Sequence, residues 1–437
     1  MKVLLINDGT SSPNWGDRAA GFALRAMVSE RGGDIIHTIS EDDLYRSSLD
    51  GDRGASVQQG ERNTREIAKL FIPPLVLKLR RKLFPNVDRT REFAFIPGRW
   101  DDYGACAARV LGRKAPWPKL MQSLEEIDLA VVNGTGGIKG NRVLPRTLLF
   151  LSYVIKKNFN KPVIMINHTA DFNHADLLRV AEEVYPLYDD VVFRDQVSLE
   201  RCKTLCGGRF AADTAFWFKP ALPKAWTSMT ARPTYFDFWP DEARFDPSER
   251  YLCVGGSSMF GRTKELGGFV DGYTQLVEHL RSLYSGRIVL TASDTIDQTV
   301  FRPIARRLGI PLIGVATPVQ QAFDVLGNAD AYIGGRWHQG VFALRGGTPV
   351  IALSSKTFKM SALTDMAGLP SATFDAFDLE KEAGPIGRRL LSLLEKGEGL
   401  RSRLRSWGED MAESSWGNVA YLRRLEARAE TTENGGA

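Results

Sequence analysis

Between Ala329 and Leu353 the chain reads ADAYIGGRWHQGVFALRGGTPVIAL, and here residue types and spacing point most directly to chemistry. Arg336 and His338 stand on either side of Trp337, directly after Gly334 and Gly335. Ala331 to Gly334 is a short apolar run that reads as a buried strand. Val341, Leu344 and Arg345 fall at helical spacings, Gly346-Gly347 supplies the residue type preferred just past a helix C-terminus, and Pro349 to Leu353 reads as a second strand. At the turn of such a strand–helix–strand unit, unpaired backbone N–H groups and the positive end of the helix dipole collect, and glycines allow a ligand to approach the backbone. An anion site is expected there, with Gly335, Arg336 and Trp337 against the anion and His338 placed for proton transfer. The simpler readings are an arginine tying two strand ends together and a histidine capping the helix.

Other candidates lie elsewhere in the chain. Arg194 ends the strand Val191 to Phe193, and Asp195 beside it offers an ion pair or a helix cap. Asp17, with Asn14 as the alternative, reads first as the N-cap of a helix ending near Ser29, and secondly as a base facing a substrate. Asn133 to Gly137 is a glycine-rich turn after a strand. It lacks the Lys-Ser/Thr of a P-loop and the full GxGxxG spacing, so it is expected to line a cleft as a tight turn. Lys359 is a further cation, with Lys356 as its alternative. His168 and His174 flank the end of a strand, and His279 sits on a helix surface. No acidic cluster has metal-ligand spacing, so no metal is expected.

Strands and helices alternate in two runs, which predicts parallel sheets covered on both faces. The first run takes in strands at Val3–Ile6, Ile35–Ile39, Leu129–Val132, Val163–Ile166 and Val191–Phe193. The second takes in strands at Tyr251–Val254, Ile288–Ala292 and Leu312–Val315 before the central unit. A domain over 1–218, with a less regular insertion at about 41–125, is followed by a proline-rich linker at 219–233. A second domain covers 234–400, and a helix and tail cover 401–437. A chain of 437 residues suits two domains, and a net charge of +5 is too mild for a nucleic-acid binder. The four cysteines form no CxxC pair and read as reduced thiols. The apolar start, Val3 to Ile6, is a strand rather than a signal peptide, and no apolar run has transmembrane length, so a cytoplasmic protein is expected.

The segment GGRWHQGVFALRGGTPVIAL resembles the "GxRxH" region of the polysaccharide pyruvyl transferase family. NWGDRA, NGTGG, FRDQVSLERC followed by AADTAF, and the position of Lys359 are similar to that family as well. The resemblance spans Asn14 to Lys359. It implies two Rossmann-like α/β domains arranged as in GT-B glycosyltransferases, with the active site in the interdomain cleft. It implies phosphoenolpyruvate as donor co-substrate with no further cofactor, and a sugar diol of a cell-surface or exopolysaccharide glycan, free or lipid-linked, as acceptor. The product would be a cyclic ketal. Arg194, Arg336, Trp337, Lys359, Asn14 and Asn133 would then contact substrate, with His338 as acid and Asp17 on the acceptor side. A GT-B glycosyltransferase using a nucleotide sugar is the competing reading, with Asp324 or Asp365 as its ribose-binding carboxylate, and a non-catalytic glycan-binding homologue is the third. Ile67 to Phe84 combines apolar residues with Lys78, Arg80, Arg81 and Lys82, so peripheral contact with the inner face of a membrane is a further expectation.

Overall fold

The apolar runs form two parallel sheets in a computed structural model, which describes residues 1–44, 95–112, 117–230, 246, 248–263, 265–425 and 427. The first sheet has the order β2-β1-β3-β4-β5-β6. Its strands are β1 (Lys2–Asp8), β2 (Asp34–Ser40), β3 (Leu129–Lys139), β4 (Val163–Asp171), β5 (Asp190–Phe193) and β6 (Arg209–Phe210). The second has the order β11-β10-β7-β8-β9. It is built from β7 (Tyr251–Ser257), β8 (Arg287–Thr291), β9 (Leu312–Ile313), β10 (Ala331–Gly335) and β11 (Val350–Ala352). The central strands are apolar on both faces because helices cover both: Leu4, Ile6, Ala130 and Val132 face one layer, and Val3, Leu5 and Val131 face the other. Each such aliphatic side chain, fully buried, contributes about 1.5–3 kcal/mol.

Strand order reverses between β1 and β3 in the first sheet and between β7 and β10 in the second. A crevice opens at the carboxyl ends of the strands at such a reversal. The two crevices face each other, because the start of the helix Trp15–Glu30 is docked on the second domain. The Trp15 amide donates to Ser293 O at 3.0 Å, its indole to Val315 O at 3.2 Å, and Arg18 Nη2 to Val315 O and Thr317 O at 3.0 and 2.9 Å.

Several expectations are corrected. The helix begins at Trp15 and its cap is Asn14, whose side chain accepts from the Gly16 and Asp17 amides. Asp17 therefore lies inside the first turn and its carboxylate is not used as the cap. Asn133–Gly137 is no turn: β3 runs through it to Lys139, with a register shift against β4 between Thr135 and Ile138. Within the presumed linker, Pro223–Thr230 is a helix. The region read as an irregular insertion contains the helices Tyr103–Val110 and Pro118–Glu126. Their Tyr103, Val110, Leu120 and Leu124 join the first domain's core. Ile67 to Phe84 and the tail from Glu430 lie outside the described residues. Among the described residues no helix is long and apolar enough to cross a membrane, and all four cysteines are free thiols.

After the helix Gly397–Ser415 the chain returns to the first domain, where Val419 and Leu422 pack with Val3, Leu5 and Leu24. Asn418 fixes the return. It accepts from the Asn167 amide at 3.0 Å and donates to Ala212 O and Ser415 O, each at 2.8 Å, all buried. Replacing Asn418 with Leu leaves these backbone groups without partners, and each unsatisfied buried group costs about 1–3 kcal/mol. Urea denaturation should therefore show Asn418→Leu destabilised by about 2–4 kcal/mol; an unchanged midpoint would refute this account of the return.

Candidate active site

Trp337 and His338 open the helix Trp337–Arg345, directly after β10, and Arg336 is its N-cap residue. The arginine is committed more deeply than sequence suggested. Its Nε and Nη2 fork onto Asp297, with Nη2 2.6 Å from Oδ1, and its Nη1 lies 3.4 Å from Asp294. Asp294 caps the helix Thr295–Leu308 and accepts from Asn14 Nδ2 at 3.2 Å, so Asn14, Asp294 and Arg336 link the two domains. Burial pushes the Asp297 carboxyl up to about 6 against the pull of Arg336, which leaves it ionised at neutral pH. The guanidinium expected against the anion thus lines the cleft, but it is already paired to two carboxylates.

Gly334 and Gly335 are also explained by packing. A Cβ on Gly334 would lie 2.1 Å from the Tyr332 hydroxyl, and one on Gly335 would lie 2.7 Å from Ser257 Oγ and Ser354 O. Their missing side chains admit neighbouring protein atoms, and Gly335 is not among the residues lining the cleft. Asn133 is corrected likewise. It is fully buried, its side chain donates to Asn7 O while its carbonyl accepts from Asn7 Nδ2, and its Oδ1 accepts from Asn167 Nδ2 at 3.2 Å, so it holds β1, β3 and β4 together behind the cleft.

Arg194 follows β5 and is 1% exposed. Asp195 does not pair with it, since that carboxylate caps the next helix by accepting from the Ser198 amide at 2.7 Å. Arg194 instead donates to Asp213 at 2.8 Å and to Thr169 Oγ1 at 3.0 Å, and lies over the Trp337 ring at 4.7 Å. Asp213 also accepts from Trp337 Nε1 at 2.9 Å and the Ala215 amide at 2.9 Å, and stands 3.3 Å from His338 Nε2. Burial alone would raise this carboxyl, yet His338 and Arg194 hold it well below the usual carboxylate range. Sequence reading missed Asp213 as a site residue, although AADTAF carried the signal.

The His338 ring rests on the helix Trp15–Glu30. A Cβ on Gly16 would fall 1.9 Å from His338 Nδ1, so only glycine at position 16 lets the two domains meet there. His168, by contrast, is a core residue: Nδ1 lies 2.9 Å from Val192 O, Nε2 lies 3.1 Å from the Tyr185 hydroxyl, and burial lowers it to about 3.

These residues surround a cleft of about 310 Å³, lined among others by Asn14, Asp17, Glu41, Gly136, Lys139, Arg142, Arg194, Asp294, Arg336, Trp337, His338, Lys356 and Lys359. Both candidate lysines, 356 and 359, reach it. Lys139, at the end of β3, was missed because β3 had been ended at Val132. Burial, then the neighbouring Lys356 and Arg194, lowers Lys139 to about 8, and burial with Lys139, Arg194 and Arg336 lowers Lys359 well below the ordinary lysine value. Among the described residues, Lys139, Arg142, Lys356 and Lys359 form no salt bridge, although Asp17 acts on Lys139 and Lys359 and Asp294 on Lys356. Such a cluster stabilises a small multivalent anion.

The sequence pattern of the polysaccharide pyruvyl transferase family matches residues 14–357, and the chain belongs to that family. No curated protein matches the sequence. The fold is similar to α,α-trehalose 6-phosphate synthase from Burkholderia multivorans (TM-score 0.55, 11% identity, 98% of this chain and 99% of that one). It is also similar to UDP-GlcNAc 2-epimerase from Neisseria meningitidis bound to UDP-GlcNAc (TM-score 0.52, 11% identity, 97% of this chain and 100% of that one). At these identities the likeness concerns the fold, which is α/β with two Rossmann-like domains in a GT-B-like arrangement.

An anion beside Lys139 requires the ammonium form, so phosphate affinity should fall as pH rises through about 8. Stability of the ligand-free protein should move the other way. The folded state binds fewer protons than the unfolded one between about 8 and the ordinary lysine value of 10.5, so stability rises with pH across that window. Calorimetric titration with phosphate and thermal denaturation at pH 7 and 9 test both signs, and parallel changes would refute the assignment.

Proposed function

We propose that the chain transfers the pyruvyl group of phosphoenolpyruvate to two hydroxyls of a glycan acceptor, forming a cyclic ketal and releasing phosphate. The observation that carries this reading is the meeting, in one small cleft, of His338 with several cations that form no salt bridge among the described residues. Phosphoenolpyruvate joins a phosphate and a carboxylate on one enol, and Lys359, Lys139 and Lys356 supply charge for both beside the paired Arg194, with the N-terminus of the helix Trp337–Arg345 behind them. Transfer needs a proton on the methylene carbon, which creates cationic character at the adjacent carbon for a hydroxyl to attack. His338 is the proton donor of this scheme, and Asp213 orients its ring. Asp17 lines the same cleft and would take a proton from the acceptor.

The nucleotide-sugar reading finds less support. Asp324 is buried and accepts from the Ala221 amide, while Asp365 is exposed on the helix Lys359–Met366 and lies outside the cleft. A thermal-shift comparison separates the three readings. Phosphoenolpyruvate at a hundredfold excess over its Kd should stabilise the protein by about 2.7 kcal/mol. Stabilisation by UDP- or GDP-sugars instead would favour the glycosyltransferase, and stabilisation by neither would favour the non-catalytic homologue.

Two substitutions test the division of labour. Lys359→Met removes a charged contact to the donor, worth about 1.5–3 kcal/mol, and should weaken phosphoenolpyruvate binding by roughly 10- to 150-fold. His338→Gln should leave donor affinity nearly intact and lower kcat by roughly 10²- to 10⁴-fold. Calorimetry with phosphoenolpyruvate, beside phosphate-release rates on folded variants, reads both. Near-normal turnover in His338→Gln would remove it as the acid.

A further inference from the structure

The cleft is bipolar. Its cations come from the ends of β3 and β5 and from the second domain, while Asp17 and Glu41 face it from the helix Trp15–Glu30 and the end of β2, and the third lining carboxyl, Asp294, is paired with Arg336. The fold sets these two side by side. Asp8, the last residue of β1, is in register with Ser40, the last of β2, so Gly9 and Glu41 leave the sheet as neighbours. A Cβ on Gly9 would lie 3.0 Å from Asp17 Cβ, which seats Asp17 directly over that strand end. Ser12, whose Oγ also accepts from the Asn14 amide at 3.2 Å, bonds to the Glu41 carboxyl.

Glu41 opens a short helix, Glu41–Leu44, yet it does not cap it. That task falls to Ser40 and Asp43: Ser40 N and Oγ donate to Asp43 Oδ2 at 3.0 and 2.6 Å, and the Asp43 amide donates to Ser40 Oγ at 3.3 Å. The Glu41 side chain is thereby spared from capping and, bonded to Ser12, lines the cleft. An anionic donor is drawn to the cations, so the carboxyl wall is left to the neutral hydroxyls of the acceptor.

We propose that Glu41 is a further catalytic residue, which works with Asp17 as an acid–base pair on the acceptor side of the cleft. This rests on the pyruvyl-transfer reading above. The two environments divide the roles. Asp17 is raised by burial but faces His338, Arg194 and Lys359, which favour its ionised form, with Asp294 opposing them. Glu41 is pushed up to about 8 by the Asp17 charge and then by burial, with Asp42 and Asp294 adding to the rise, so the pair holds a proton at neutral pH. Two carboxyls with separated affinities can supply one base and one acid at the same pH.

The proton count closes. His338 gives a proton to the methylene carbon while Asp17 takes one from the first hydroxyl as its C–O bond forms. The C–O bond to phosphate breaks, and Glu41 protonates the leaving phosphate. The second hydroxyl then forms its C–O bond and returns a proton to Glu41. Asp17 finally hands its proton to His338, so every group ends as it began. Two hydroxyl protons are consumed, one in the new methyl group and one on the released hydrogen phosphate.

The test begins without substrate. In protein labelled with ¹³C at the glutamate side-chain carboxyl, one resonance should titrate near pH 8 and vanish in Glu41→Gln. In Asp17→Asn the same resonance should move to lower pH by at least about one unit, because the neighbouring charge is gone. Titration of Glu41 together with the other glutamates would overturn the pair. Phosphate release from phosphoenolpyruvate, with methyl hexopyranosides as probe acceptors, then reads the chemistry. Glu41→Gln should lower kcat by roughly 10²- to 10⁴-fold, with phosphoenolpyruvate affinity kept within about threefold. A wild-type protein that neither binds phosphoenolpyruvate nor releases phosphate counts against the pyruvyl-transfer reading. An active wild type with Glu41→Gln unchanged counts against the acid–base pair alone.

Discussion

The site hangs on the carboxylate of Asp213. Four groups from three stretches of chain converge on it: the Arg194 guanidinium, the Ala215 amide, and the Trp337 indole N–H beside the His338 imidazole. Two of them belong to the first domain and two to the second, so one buried acid joins both halves of the cleft. Dehydrating a carboxylate and a guanidinium costs several kcal/mol per ion, and the pair is tolerable only where the remaining lone pairs are satisfied as well. Here the amide, the indole and the ring above Arg194 meet that demand. Losing one partner would leave a buried charge uncompensated, a penalty of about 3–5 kcal/mol. The reward is orientation, since an imidazole beside an immobile carboxylate has a defined direction.

Asp213 and the Asp294–Asp297 pair neutralise Arg194 and Arg336, but among the described residues no carboxylate forms a salt bridge with Lys139 or Lys359. Two like charges about 5 Å apart repel by about 3 kcal/mol at an effective dielectric of 20. Lys139 and Lys359 respond by giving up protons more readily than exposed lysines do. Such crowding is a standing cost to the ligand-free fold, and an anion that enters converts it into affinity. Stability and binding are thus opposed at the same atoms, as expected where a site is shaped for its ligand.

Strong local patterns made much of this legible in sequence. The strand–helix–strand unit around Arg336 and His338 was readable because apolar runs, helical spacing and a glycine stop agree there. Contacts between distant residues were hidden. Nothing near Arg336 announces that Asp297 will claim its guanidinium, and nothing near Gly16 announces that His338 will lie against it. Polar residues inside strands misled as well. Asn133 to Gly137 carries turn residues, yet pairing with β4 keeps β3 going to Lys139, because tertiary hydrogen bonding overrides local preference. Glu41 was invisible for a related reason: its position beside Asp17 follows from the register of β1 with β2.

The helix Trp15–Glu30 draws the physical consequences together. It leaves β1 of the first sheet, yet its first turn is bonded to the second domain through Asn14 to Asp294, Trp15 to Ser293 and Val315, and Arg18 to Val315 and Thr317. Asp17 sits within that anchored turn, beside His338. A hinge motion separating the sheets would have to break these bonds or carry the turn along with the second domain. The anchored turn therefore keeps Asp17 and His338 in one rigid neighbourhood, while Arg194, Lys139 and Glu41 approach from the sheet of the first domain. Any opening of the cleft must therefore break the hydrogen bonds of this turn or those that join Arg194 and Trp337 through Asp213.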